Sequence, residues 1–115
     1  MKQFEMIPVA CNMDAISAEQ MSRYGGSRRL LREACLGVEE HADGFSFRYP
    51  AQPELVSAAG DLIGLEQACC AFLRYDLAVP AGAGEFTLRL TGSEGAKAFV
   101  VENMLETLSR GVGAS

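Results

Sequence analysis

Tryptophan is absent from these 115 residues, histidine occurs once, and no apolar run approaches the roughly 18 residues that a membrane-crossing helix needs. A membrane partner is therefore not expected. Basic charge is also scarce: ten Lys and Arg stand against fifteen Asp and Glu, a formal charge of −5 at pH 7. Nonspecific nucleic-acid binding draws its affinity from Lys and Arg neutralising phosphates, so nucleic acid is not an expected partner. The chain also lacks a C-x-x-C pair, and His41 is its sole histidine, which disfavours a closed tetrahedral zinc site. No phosphate loop, Ser-His-Asp set or paired-carboxylate arrangement is legible, so no catalytic residue is assigned. The first ten residues hold Lys2 but also Glu5 and Pro8, a poor signal peptide, and the expected location is cytoplasmic.

What is present suits a globular protein: 49% hydrophobic and 22% charged residues. The length predicts one domain over 1–115, with a core that needs neither disulfide nor structural metal. Four cysteines, at 11, 35, 69 and 70, are expected mostly as thiols in a reducing compartment.

Residues 3–11 read as a strand that Pro8 demotes to a sheet edge, with Cys11 at its end before Asn12-Met13-Asp14. Ser17 and Gln20 form a capping box that opens a helix through Met21 and Tyr24, and Gly25-Gly26 is expected to interrupt or bend it. From Ser27 to about Leu36 an amphipathic segment places Leu30, Leu31, Ala34 and Cys35 opposite Arg28, Arg29 and Arg32. Cys35 thereby reads as a structural core residue, and Arg23, Arg28, Arg29 and Arg32 as a solvated charged helix face, with an anion site or partner surface as the alternatives. Residues 38–40 and 44–49 are hairpin arms, with Asp43-Gly44 supplying the turn and His41 an exposed loop residue. A helix from about Pro53 carries Leu55, Ala58, Ala59, Leu62, Leu65, Cys69 and Phe72 on its core side; Gly60 and Gly64 suggest close packing against another element. A second hairpin, 73–79 and 85–91, precedes a helix over 93–109 with Ala98, Val101, Leu105 and Leu108 on one face.

The expected fold is α+β, an antiparallel sheet packed against helices. Leu31–Cys35 and Leu65–Cys69 superpose at an offset of 34, each before a hairpin, which suggests two helix–hairpin units.

The chain is organised around Leu65-Glu66-Gln67-Ala68-Cys69-Cys70-Ala71-Phe72. Glu66 lies one helical turn before both cysteines, at i+3 and i+4. Adjacent helical residues point about 100° apart, so Cys69 is expected inward and Cys70 at the rim, where Cys11 can join them. Thiolates that converge suit Hg, As and Cu chemistry, so Cys11, Cys69 and Cys70, with Glu66, form the candidate metal site for a thiophilic ion. Arg74 is the nearest compensating charge in sequence.

Ala10-Cys11-Asn12-Met13, Arg23-Tyr24, the Leu65–Phe72 segment and Leu88-Arg89-Leu90-Thr91-Gly92-Ser93-Glu94-Gly95-Ala96-Lys97 together resemble a family of small, mostly uncharacterised bacterial domains. The chain departs from that pattern at Ala71, where Pro is expected, and at Met13, where Leu is expected. Similar segments accompany regulators of the mercury-resistance type, so the resemblance implies soft-metal or thiol stress. Two other readings stay open: a thiol redox protein or sensor, and a non-catalytic interaction domain with structural cysteines. A homo-oligomer is also left open.

Overall fold

A computed structural model of the chain describes residues 17–109, and the expected strand over 3–11, with Cys11, lies outside them. Ser17 caps the first helix, α1 (Ala18–Ala34); its side chain accepts from the Gln20 amide while the Gln20 side chain accepts from the Ser17 amide. The helix runs through Gly25 and Gly26 without a break. Each glycine lowers helix propensity by about 1 kcal/mol relative to Ala, and packing of α1 against other helices offsets this. Its buried line is also narrower than the apolar pattern implies. Leu31 is fully buried, whereas Leu30 is 45% exposed.

The first hairpin follows, β1 (Gly37–His41) and β2 (Gly44–Pro50). Its turn consists of Ala42 and Asp43, since His41 pairs with Gly44 and both belong to strands. Gly44 is therefore not the turn residue it appeared to be. A Cβ there would come within 1.8 Å of the Leu90 carbonyl oxygen, so the position needs glycine for close backbone approach. His41 is half-buried and its Nε2 lies 2.6 Å from the Ser46 Oγ, rather than hanging in a loop.

Helix α2 (Pro53–Cys69) starts with Pro in its first turn and buries Leu55, Ala58, Ala59, Leu62, Leu65 and Cys69, as the three- and four-residue spacing predicts. Gly60 and Gly64 do not mark close packing: both are exposed, and a Cβ at either would meet nothing within 4 Å among the described residues. The second hairpin joins β3 (Arg74–Ala78) to β4 (Glu85–Thr91) through a loop in which Gly82 and Gly84 adopt φ of 70° and 72°. That left-handed conformation favours glycine. Ser93 caps α3 (Glu94–Asn103), and α4 (Leu105–Ser109) completes the described chain. The expected single closing helix is thus two, broken at Met104, and its inward residues are Ala96, Val100, Met104 and Leu108. Ala98 and Val101 face outward.

The sheet is fully antiparallel, in the order β1-β2-β4-β3, with the helices packed against it. Phe45, Phe47 and Tyr49 of β2 pair with Leu90, Leu88 and Phe86 of β4, so one face of the central pair is wholly apolar. The Tyr49 hydroxyl donates to the Leu108 carbonyl at 2.9 Å, tying that face to α4.

The two helix–hairpin units match in element length: seventeen residues in each helix, five in each first strand, seven in each second strand. Phe47 and Leu88 are the middle residues of β2 and β4 and pair with one another, so the register is that of a local two-fold axis. The helices begin at 18 and 53, an offset of 35 rather than 34. Cys35, the C-cap of α1, is therefore the positional equivalent of Cys70, the C-cap of α2.

Candidate metal centre

The last turn of α2 presents Glu66, Cys69 and Cys70 in one place, and one ligand atom from each lies within 4.8 Å of the others. All three are buried, with exposures of 1%, 3% and 1%. Cys70 is thus not at the rim. The expectation assumed helical geometry at both cysteines, but Cys70 leaves the helix with φ −124° and ψ 66°. This turns its side chain away from the regular 100° step, and the two sulfurs come to 3.6 Å. The Tyr75 hydroxyl of β3 donates to the Cys70 carbonyl at 3.1 Å, satisfying a helix-end acceptor. Despite Ala71 in place of Pro, the helix does not run on.

From α1, the Tyr24 hydroxyl donates to Oε2 of Glu66, and the Arg28 guanidinium lies 5.0 Å from the Tyr24 ring centre. The other carboxylate oxygen, Oε1, is buried with no hydrogen-bond partner among the described residues. A buried acceptor without a partner costs about 1–3 kcal/mol, more when charged. Burial accordingly raises the Glu66 pKa above its ordinary value, while the Tyr24 hydrogen bond and Arg28 pull it down. Burial and then the Glu66 charge raise the Tyr24 and Tyr75 phenols, so both remain protonated donors at neutral pH.

The described cysteines differ in state. Cys35 and Cys69 are free thiols, and Cys70 is disulfide-bonded, where the sequence led to an expectation of mostly thiols. Burial, followed by the Glu66 charge, pushes the Cys69 pKa upward. Cys35 is half-buried at the end of α1, packs against the core and directs its Sγ to the Gly37 carbonyl at 3.5 Å, a structural placement. Burial raises its pKa too.

Arg74 does not compensate the cysteine pair. Its guanidinium is exposed and held by Asp76 at 3.0 Å. No family model, curated protein or solved structure matches the chain. Of the four residues assigned from the sequence, Glu66, Cys69 and Cys70 are brought together, and Cys11 lies outside the described residues. Sequence reasoning missed Tyr24, Arg28 and Tyr75. The first two are four apart on α1 and could have been paired as one helix face, but nothing local connects them to Glu66, 42 residues beyond Tyr24.

Glu66, Cys69 and Cys70 form a group that could hold a metal ion. Once reduced and deprotonated, the two sulfurs would be soft donors and the carboxylate oxygen a harder one. Among the described residues, no helix is long and apolar enough to cross a membrane.

Proposed function

We propose that the protein binds a thiophilic metal or metalloid ion through Cys69, Cys70 and Glu66, with Cys11 the further sulfur that the sequence offers. The observation that carries this reading is the buried Oε1 of Glu66, without a hydrogen-bond partner among the described residues, beside two sulfurs. A cation there would complete the acceptor and offset the desolvation of the carboxylate. The 3.6 Å sulfur separation supports a bent arrangement. At metal–sulfur bonds of about 2.3 Å it subtends about 100°, as in trigonal or tetrahedral coordination, whereas a linear ion would need about 4.6 Å. The resemblance to domains that accompany mercury-resistance-type regulators points the same way and adds a setting of soft-metal stress.

Cys70 can serve as a ligand only once its disulfide is opened. A dithiol reductant supplies two electrons and two protons, becomes a disulfide itself and leaves two thiols. Metal binding then displaces the proton of Cys69, whose pKa is raised, so uptake is accompanied by proton release and strengthens with pH. The same disulfide, 3.6 Å from a free thiol, favours redox sensing as a second reading. Against it, a thiol of raised pKa supplies little thiolate for exchange.

Titration of the reduced, full-length protein with arsenite or Hg(II), with proton release and thiol count followed together, tests the proposal. We expect one ion per chain, protons released on binding, protection of Cys69 and Cys70 from alkylation, and no uptake at these residues in the oxidised protein. Alkylation of Cys69 at equal rates with and without the ion would refute it.

A further inference from the structure

The described chain has eight Lys and Arg residues, and they fall into two groups. Arg23, Arg48, Arg74, Arg89 and Lys97 each pair with a carboxylate, at 2.8 to 3.5 Å. Arg28, Arg29 and Arg32 have no carboxylate partner among the described residues, and all three line one cavity of about 190 Å³ between α1 and Thr107 of α4. In an acid-rich protein, cations that stay unpaired while crowding one another three and four residues apart are the exception that calls for an explanation. The helix dipole accounts for Arg32 alone, since only the last turn feels the C-terminal partial charge.

Gly25 supplies the second observation. It lines the same cavity, it sits inside a helix where glycine is unfavourable, and a Cβ there would meet nothing within 4 Å among the described residues. Close packing does not account for it. What the missing side chain does is leave the wall of the cavity bare.

We propose that Arg28, Arg29 and Arg32 form a binding site for a small tetrahedral oxyanion, either inorganic phosphate or the phosphate of a monoester. Guanidinium forks match such an oxyanion with paired, charge-assisted hydrogen bonds that an ammonium cannot reproduce. Thr107 shapes the opposite wall but is not a donor, because its hydroxyl already donates to the Met104 carbonyl at 2.9 Å. Arg28 also lies against the Tyr24 ring, which fixes one of the three guanidiniums in place before the anion arrives. None of the thiols takes part; Arg28 also acts on Glu66, so the variants that test this site are placed at Arg29, Arg32 and Gly25.

The test is an NMR titration of the full-length protein with inorganic phosphate and, separately, glycerol phosphate, at ionic strength held constant with chloride. Saturable one-to-one shifts centred on residues 25–32 and Thr107 are expected. A tighter fit for glycerol phosphate would assign the ligand to organic monoesters, and equal affinities to the free oxyanion. The double variant Arg29→Ala/Arg32→Ala, both exposed positions, should lose affinity by about tenfold or more with its anion-free melting temperature unchanged. Gly25→Leu should do two opposite things: raise the melting temperature through better helix propensity, and lower phosphate affinity by about tenfold by filling the cavity. Shifts reproduced by chloride alone, or affinity unaltered in both variants, would overturn the proposal.

Discussion

Replacing Cys69 by Ser is expected to weaken binding of a thiophilic ion to the reduced protein by roughly 100-fold or more, a loss at least as large as that seen when supporting groups around a metal are removed. Cys69 is buried at the end of α2, its sulfur lies 3.6 Å from that of Cys70, and Glu66 is one turn back. Ser offers a harder and far less acidic oxygen at the same place, so charge donation to a soft ion is lost while the fold is little changed. Cys35→Ser is the matched control. That thiol belongs to the end of α1 and faces the Gly37 carbonyl, so its replacement should leave ion affinity unchanged. Isothermal titration of both variants with arsenite checks this; equal losses in the two would remove Cys69 from the site.

The second large effect is expected at Glu66, and its two parts have opposite signs. Glu66→Gln should raise the ion-free melting temperature near pH 8 by about 4 °C, corresponding to roughly 1 kcal/mol, and at the same time weaken ion binding. The carboxylate is fully buried and one oxygen has no partner among the described residues, so its charged form is disfavoured by folding. Its pKa is raised in the folded protein, mainly by burial. A carboxyl of raised pKa binds more protons folded than unfolded, so its contribution to stability is largest at low pH. That contribution diminishes as pH rises from the ordinary value near 4.3 through the folded pKa. Gln does not titrate, hence the gap in melting temperature between variant and parent should open across this window and close below it. Gln keeps an acceptor for Tyr24 but places an amide NH2 where Oε1 stood, so it is the pH dependence of the gap that isolates the effect of the charge. A gap independent of pH would mean that Glu66 is already ionised at no cost.

The alternation of Phe45, Phe47 and Tyr49 with polar residues, and of Phe86, Leu88 and Leu90, was enough to read the two central strands, because one sheet face must pack on helices. The inward series of α2 was legible for the same reason. Three features were not. Gly25-Gly26 has the local signature of a break, and only packing of α1 against its neighbours, which involves residues far along the chain, keeps the helix whole. Gly44 has the signature of a turn, but its requirement comes from the backbone of β4, 46 residues away at Leu90. Cys70 was expected to point outward because a regular helix was assumed through it; a single non-helical residue reverses that direction. The site itself was half legible. The i, i+3 and i+4 spacing brought Glu66, Cys69 and Cys70 together, whereas the hydrogen bond from Tyr24 to Glu66 depends on how α1 packs against α2.

Arsenic X-ray absorption on the reduced protein loaded with one equivalent of arsenite tests the central claim most directly, because it counts the atoms bound to the ion. A shell containing at least two sulfurs is predicted, with one fewer in Cys69→Ser and no change in Cys35→Ser. A shell of oxygen alone, or a sulfur count that Cys69→Ser leaves untouched, would contradict it.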